Sequence, residues 1–158
     1  MKVTKVAETR LPTPFGTFRL LGFELEDKSE SLIALVMGNV TDEEAALLRI
    51  HSQCLTGDVF QSGRCDCGDQ LHFALAKIAD HGAGILIYQL QEGRGIGLMN
   101  KLLAYELQDS GRDTVEANEH LGFEADHRNY ELCAGALRDL GVSRVRMMSN
   151  NPHKLDSL

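Results

Sequence analysis

Gln70-Leu71-His72-Phe73-Ala74-Leu75-Ala76-Lys77-Ile78-Ala79-Asp80-His81-Gly82-Ala83-Gly84-Ile85-Leu86-Ile87-Tyr88-Gln89-Leu90 changes its period half-way. From Gln70 to His81 the apolar residues Leu71, Phe73, Ala74, Leu75 and Ile78 follow a helical period, and Gly82 is a C-terminal stop. Gly84 to Leu90 is a short continuous apolar run, which reads as a buried strand. Upstream, residues 2–9 and 17–25 alternate apolar and polar, with a break at Pro12-Thr13-Pro14-Phe15-Gly16, and predict two strands of a hairpin or meander. Ser31 to Val40 predicts a third strand, buried on both faces or nearly so. Ala45 to His51 is a strand, or a short helix turning into one. Downstream, Gly97 to Gln108 predicts a helix with Leu98, Leu102, Tyr105 and Leu107 among its apolar positions, ending near Gly111. Tyr130 to Leu140 predicts another, with Leu132, Cys133, Ala136, Leu137 and Leu140, capped by Gly141. Val145 to Met148 is a strand, and Asn151-Pro152 opens a final helix as N-cap and first helical position. Strands come first, then helix and strand alternate. The fold class is α+β, a mixed sheet with packed helices in a single domain over residues 1–158. The chain stops a turn or two into its last helix, so a shortened C-terminus is expected.

The chain has 158 residues, enough for one real core and too few for two. Its formal net charge of −7 disfavours a nonspecific nucleic-acid binder, which would be basic. No apolar run approaches the roughly 20 residues of a membrane span, and the start, Met1-Lys2-Val3-Thr4-Lys5, lacks the apolar core of a signal peptide. A cytoplasmic location is therefore expected. Four cysteines in such a chain fit metal binding or catalysis better than a disulfide framework.

Cys54, Cys65 and Cys67 form C-x10-C-x-C with no fourth cysteine nearby. Structural zinc sites close with four protein ligands, whereas catalytic ones use three and leave a position for water. The spacing points to a metal that does chemistry; the alternative is a structural site completed by His51 or His72. The C-x-C pair shares a tight turn, where Gly68 is expected to allow unusual backbone angles. Cys133 lies on an apolar helix face and reads as core. In Gln91-Glu92-Gly93-Arg94-Gly95-Ile96-Gly97-Leu98 a strand ends, glycines follow and a helix begins. Such a turn either cradles phosphate on backbone N–H groups, with Arg94 and then Lys101 adding charge, or uses glycine only for geometry. Asp126-His127-Arg128 offers a general base beside an anion-binding or nucleophilic group, although a surface salt bridge or capping cluster is the reading those residues alone favour. Ser149-Asn150-Asn151-Pro152-His153-Lys154 is a strand-to-helix turn with Lys154 as a candidate phosphate contact, or plain helix capping. Together these features suggest an enzyme that hydrolyses a phosphorylated small molecule with a thiolate-bound zinc.

Five motifs in order carry a resemblance to a known family. They are His51-Ser52-Gln53-Cys54-Leu55-Thr56-Gly57-Asp58, Arg64-Cys65-Asp66-Cys67-Gly68, Gln91 to Leu98, Asp113-Thr114-Val115-Glu116-Ala117-Asn118, and Asn150-Asn151-Pro152. From Leu11 to Lys154 the chain resembles GTP cyclohydrolase II, the first committed enzyme of riboflavin biosynthesis. The resemblance implies hydrolysis of GTP that opens the imidazole ring and releases formate and pyrophosphate, giving 2,5-diamino-6-(5-phosphoribosylamino)pyrimidin-4-one. It implies catalytic Zn2+ on Cys54, Cys65 and Cys67, activating a water for attack on C8. Asp126 matches a proton acceptor and Tyr105 a residue that assists ring opening. Arg128 matches a nucleophile toward the α-phosphate; a protonated arginine is a poor nucleophile, so an electrostatic role stands beside the covalent one. Arg49, Ile50, His51, Ser52, Gln53, Gln70, Glu92, Gly93, Arg94, Thr114, Ser149 and Lys154 match GTP-contacting positions. Mg2+ on the phosphates and a homodimer are also implied; the acidic charge and the lack of a long apolar run lead us to expect neither nucleic acid nor membrane as partner. Gln53 departs from the usual Glu, Ser149 from the commoner Thr, and the family's last few dozen residues are lacking. The competing readings are a zinc- and nucleotide-binding module with impaired turnover and a variant that stops after ring opening. A zinc nucleobase deaminase would need H-x-E and P-C-x-x-C elements, which are missing.

Overall fold

A computed structural model describes residues 2–111, 122 and 129–149. Its first strands, β1 (Val3–Thr13), β2 (Gly16–Leu25) and β3 (Ser31–Met37), form an antiparallel meander. β4 (Ala46–Ser52) settles the choice left open for 45–51 in favour of a strand. β5 (Gly84–Gln89) pairs antiparallel with β3 and parallel with β4, and β6 (Val145–Met147) adds to β4 in parallel. The six-stranded order is β1-β2-β3-β5-β4-β6, the mixed sheet expected.

Helices cover both faces. α2 (Cys67–His81) packs on one, where Ala74, Leu75 and Ile78 meet Phe18 and Leu86. α4 (Glu131–Asp139) packs on the other, where Leu132, Cys133, Ala136 and Leu137 meet Leu21, Phe23, Leu48, Ile50, Ile85 and Ile87. β5 is central and therefore buried on both faces, which is why it reads as a continuous apolar run. Cys133 is core, as its helix face predicts.

Several expectations need correction. β1 continues through Pro12 to Thr13, leaving a turn of only Pro14 and Phe15. It is an edge strand, so the N–H that proline lacks is no loss to the sheet. Its alternation is not matched by burial, because residues 4–10 are exposed throughout. β3 stops at Met37, where Gly38 takes φ 65°, and it alternates between buried and half-buried residues rather than being buried on both sides. α2 starts three residues early, at Cys67, and Phe73 is 60% exposed. α3 (Leu98–Asp109) buries only Ala104; Leu102 is exposed instead of packing into a core. The helix expected at Asn151-Pro152 lies outside the described residues. No helix among the described residues is long and apolar enough to cross a membrane.

The topology positions the site. β4, β5 and β6 are parallel, so the segments after Ser52, Gln89 and Met147 leave from one end of the sheet. In α/β sheets, crevices at the carboxyl ends of parallel strands are where ligands bind.

Candidate active site at the ends of the parallel strands

The chain leaves β4 with Gln53 N–H still bonded to the Gln89 carbonyl at 2.8 Å, then turns at Cys54 into the short helix α1 (Leu55–Asp58). Asp58 fixes that turn. One carboxylate oxygen accepts His51 Nε2–H at 2.9 Å; the other accepts Tyr88 O–H at 2.7 Å and the Cys54 backbone N–H at 3.1 Å. Burial pushes the Asp58 carboxyl up, but the hydrogen bonds from His51 and Tyr88, the His51 charge and the Cys54 N–H together hold it below the usual range. His51 is stacked on Tyr88, with ring centroids 5.5 Å apart. It braces the turn from beneath and is not a fourth metal ligand. His72 lies against Phe15. We expect Tyr88→Phe to lower stability by about 2 kcal/mol, the worth of a hydrogen bond to a buried charge, as read from urea unfolding. An unchanged midpoint would show that Asp58 does not need this donor.

The loop after α1 and the first turn of α2 bring the other thiols back. Cys54 and Cys65 Sγ stand 3.6 Å apart, and all three sulphurs lie within 4.8 Å of one another. Two glycines make this possible. A Cβ on Gly57 would lie 2.8 Å from Cys65 Sγ, and one on Gly68 would meet the Gly57 carbonyl oxygen. Gly68 is an ordinary helical residue of α2, so the expectation of unusual backbone angles is wrong; glycine is needed there for close approach. Unusual angles occur instead in the turn Glu92–Gly95, where Gly93 (φ 64°) and Arg94 (φ 61°) are both left-handed.

Glu92 joins this turn to the thiols. Its Oε2 accepts Leu55 N–H at 2.8 Å, and its Oε1 accepts Gly93 N–H at 3.0 Å and Lys101 Nζ at 2.8 Å. Lys101 Nζ also lies 3.0 Å from Cys54 Sγ. Burial raises the Cys54 thiol, but hydrogen bonds from Lys101, Thr56, the Gly57 backbone and Cys67 bring it below the ordinary value. Burial and the two neighbouring thiols push Cys67 far up, so the bare cluster resists full ionisation. A divalent cation would reverse that. Tyr105 O–H sits 3.2 Å from Thr56 Oγ1, which is 3.6 Å from Cys54 Sγ. Arg64 covers the Tyr105 ring at 4.7 Å and is paired with Asp109. Arg49 donates to the Met148 carbonyl at 2.8 Å and to Gln70, which donates to Asp66 at 2.7 Å.

These groups surround a cleft of about 1140 Å³. Cys54, Cys65, Cys67 and Tyr105 line it, as do Arg49, Ser52, Gln53, Gln70, Glu92, Gly93, Arg94 and Ser149. Two of the expected substrate contacts do not: Ile50 (0% exposed) points into the core, and His51 (2%) lies under the Cys54 turn. Thr114, Asp126, Arg128 and Lys154 lie outside the described residues. Sequence reasoning missed Asp58 and Arg64 as site residues and did not place Lys101 beside Cys54 and Glu92. The available signal for Asp58 was its place four residues after Cys54, one helical turn on.

A sequence profile described as GTP cyclohydrolase II matches residues 4–158. The chain belongs to the GTP cyclohydrolase II family. It is similar to the GTP cyclohydrolase-2 of Hahella chejuensis, with 57% identity over 158 residues, 100% of this chain and 76% of that protein. The enzyme of the same name from Histophilus somni strain 2336 is 54% identical over 157 residues, 99% of this chain and 73% of that one. The riboflavin biosynthesis protein RibBA of Bacillus cytotoxicus is 55% identical over 156 residues, 99% of this chain but 39% of its own length. Among solved structures, RibBX, a two-domain 3,4-dihydroxy-2-butanone 4-phosphate synthase from A. baumannii, matches at TM-score 0.49 and 19% identity, over 96% of this chain and 35% of that one. Membership makes the chain a hydrolase of the GTP cyclohydrolase II class, an enzyme of riboflavin biosynthesis with GTP as its substrate.

Proposed function

We propose that the chain is a zinc-dependent GTP cyclohydrolase II that opens the imidazole ring of GTP and releases formate and pyrophosphate, leaving 2,5-diamino-6-(5-phosphoribosylamino)pyrimidin-4-one. One observation carries this reading: three thiols converge on the wall of a large cleft, with no fourth His, Cys, Asp or Glu donor grouped with them among the described residues. The donor set fits zinc. Sulphurs on a tetrahedral zinc stand about 3.8 Å apart, from a Zn–S bond of about 2.3 Å, and Cys54 and Cys65 are at 3.6 Å. Held by Cys54, Cys65 and Cys67, the ion would supply a Lewis acid that makes a water nucleophilic near neutral pH.

The chain's own residues bind and orient. Tyr105 holds its hydroxyl proton beside Thr56, close to the thiols, where the opening ring would exchange a proton. The left-handed Gly93-Arg94 turn and the Arg49–Gln70 pair supply polar groups along the cleft for the nucleotide. Asp126 as proton acceptor, Arg128 on the α-phosphate, and Thr114 and Lys154 as nucleotide contacts complete the proposal, with Mg2+ on the phosphates of a substrate that an acidic chain must hold. We assign the chain one catalytic domain, a homodimeric state and a cytoplasmic location. A binding module without full turnover is the second reading. It is favoured by Gln53, an amide beside Cys54 where the resemblance leads one to expect the usual Glu.

One assay separates them. Zinc-loaded protein with GTP and magnesium is expected to release formate and pyrophosphate in equal amounts with the diaminopyrimidine. Retained nucleotide binding without products would support the binding module. Ring opening without formate would point to the shortened reaction.

A further inference from the structure

We propose that Lys101 is a positioning residue of the thiol centre. Its ammonium locks Cys54 Sγ to Glu92 and offsets the charge of three thiolates on a divalent cation. This rests on the zinc reading above.

Lys101 occupies the first turn of α3, where the helix dipole disfavours a cation, so helix stability does not explain it. Its side chain is only 12% exposed, and burying an ammonium requires close partners. It has two, Glu92 Oε1 at 2.8 Å and Cys54 Sγ at 3.0 Å, and it also lies over the Tyr105 ring at 5.6 Å. Three thiolates on a divalent cation leave one net negative charge, and Glu92, itself 8% exposed, adds another. Without Lys101 this charge would face a polyanionic substrate in the same cleft. An N–H bonded to a ligating sulphur draws electron density from it, which leaves the metal a stronger Lewis acid. Because Glu92 also holds the N–H groups of Leu55 and Gly93, Lys101 closes a bridge between the thiol loop and the left-handed turn. Its ammonium thus bonds Cys54 and Glu92 at the wall of the cleft.

The test compares wild type, Lys101→Met and Lys101→Arg, each loaded with zinc or with cobalt(II). Wild type is expected to bind one ion per chain and to show a thiolate-to-cobalt charge-transfer band. Lys101→Met is expected to lose about 10–100-fold in zinc affinity, as outer-shell substitutions do. Its band should move to longer wavelength, because the sulphur becomes more electron-rich. Its kcat should fall more than its KM for GTP rises. Lys101→Arg, which keeps the charge and an N–H donor, should return the band toward wild type. A Lys101→Met protein with wild-type affinity and band but a raised KM would overturn the proposal and make Lys101 a phosphate contact. A wild type that binds no metal would overturn both this proposal and the zinc reading. If Lys101→Met does not fold, Glu92→Gln/Lys101→Met, which leaves no unpaired carboxylate, carries the same readouts.

Discussion

Cys65→Ser is expected to strip the metal from the protein and to stop release of formate from GTP. Of the three thiols, Cys65 is the best one to remove. Cys54 is buried, precedes α1 and is held by Lys101, and Cys67 opens α2, so changes there would disturb the fold as well. Cys65 lies on the intervening loop, half-exposed, within 3.6 Å of Cys54 Sγ. A serine hydroxyl has nearly the same shape but does not ionise near neutral pH, so it cannot replace a thiolate ligand. Losing a direct ligand should cost more than the roughly 10–100-fold that loss of an outer partner costs. Metal content should therefore fall from one zinc per chain to near none, and formate release should fall to background. Cys133→Ala is the control: that thiol belongs to the core under α4, so its loss should leave zinc content intact. Metal analysis and a formate assay on the same preparations decide the matter. A Cys65→Ser protein that still released formate at the wild-type rate would refute the proposed zinc mechanism.

How much of this the sequence revealed depended on whether the deciding force was local. α2 and β5 were legible because Gly82 ends one period and an apolar run begins the next; in the structure Gly82 adopts φ 81° and its N–H bonds back to Ile78 and Ala79. The thiol cluster was legible because the C-x10-C-x-C spacing is written along the chain, and the three sulphurs do converge. Burial was harder to read. β1 alternates in sequence, yet little among the described residues covers its middle, and α3 carries leucines that find no core. An apolar pattern says that a face wants a partner and does not say that the partner lies within the same chain. The site shows the same limit. His51 sits three residues before a cysteine and looks like a ligand; only the pairing of β4 with β5 puts it on Tyr88 and Asp58. Lys101, seven residues after Arg94, looks like a second phosphate contact. The Glu92–Gly95 turn and α3 bring it instead to a sulphur 47 residues away in the chain. Gly68 looked like a conformational glycine, and its reason is a carbonyl on another helix.

That last contact gives the other large expected effect. Gly68→Ala should destabilise the protein and scatter the thiols together. A Cβ at Gly68 would lie well inside 3.0 Å of the Gly57 carbonyl oxygen, closer than real Cβ atoms approach, and no side-chain rotation relieves a contact with backbone. α1 and α2 would have to move apart. Overpacking costs about 1–3 kcal/mol, and a backbone clash belongs at the upper end. For a chain of this size about 3 kcal/mol lowers Tm by roughly 6–12 °C. The displacement would also reach the thiol cluster, because Gly57 is wedged between the sulphurs and Cys67 precedes Gly68 directly. Zinc affinity should therefore fall with stability, since an ion that binds only the folded cluster gains nothing from chains held apart. Gly63→Ala separates this from any general intolerance of the loop: a Cβ there would meet nothing within 4 Å, so Tm and zinc affinity should stay near wild type. Thermal melts with and without added zinc, run on both variants, read the two effects at once. If Gly68→Ala melted with Gly63→Ala and bound zinc as tightly, the close approach of α1 to α2 would not be what holds the three thiols together.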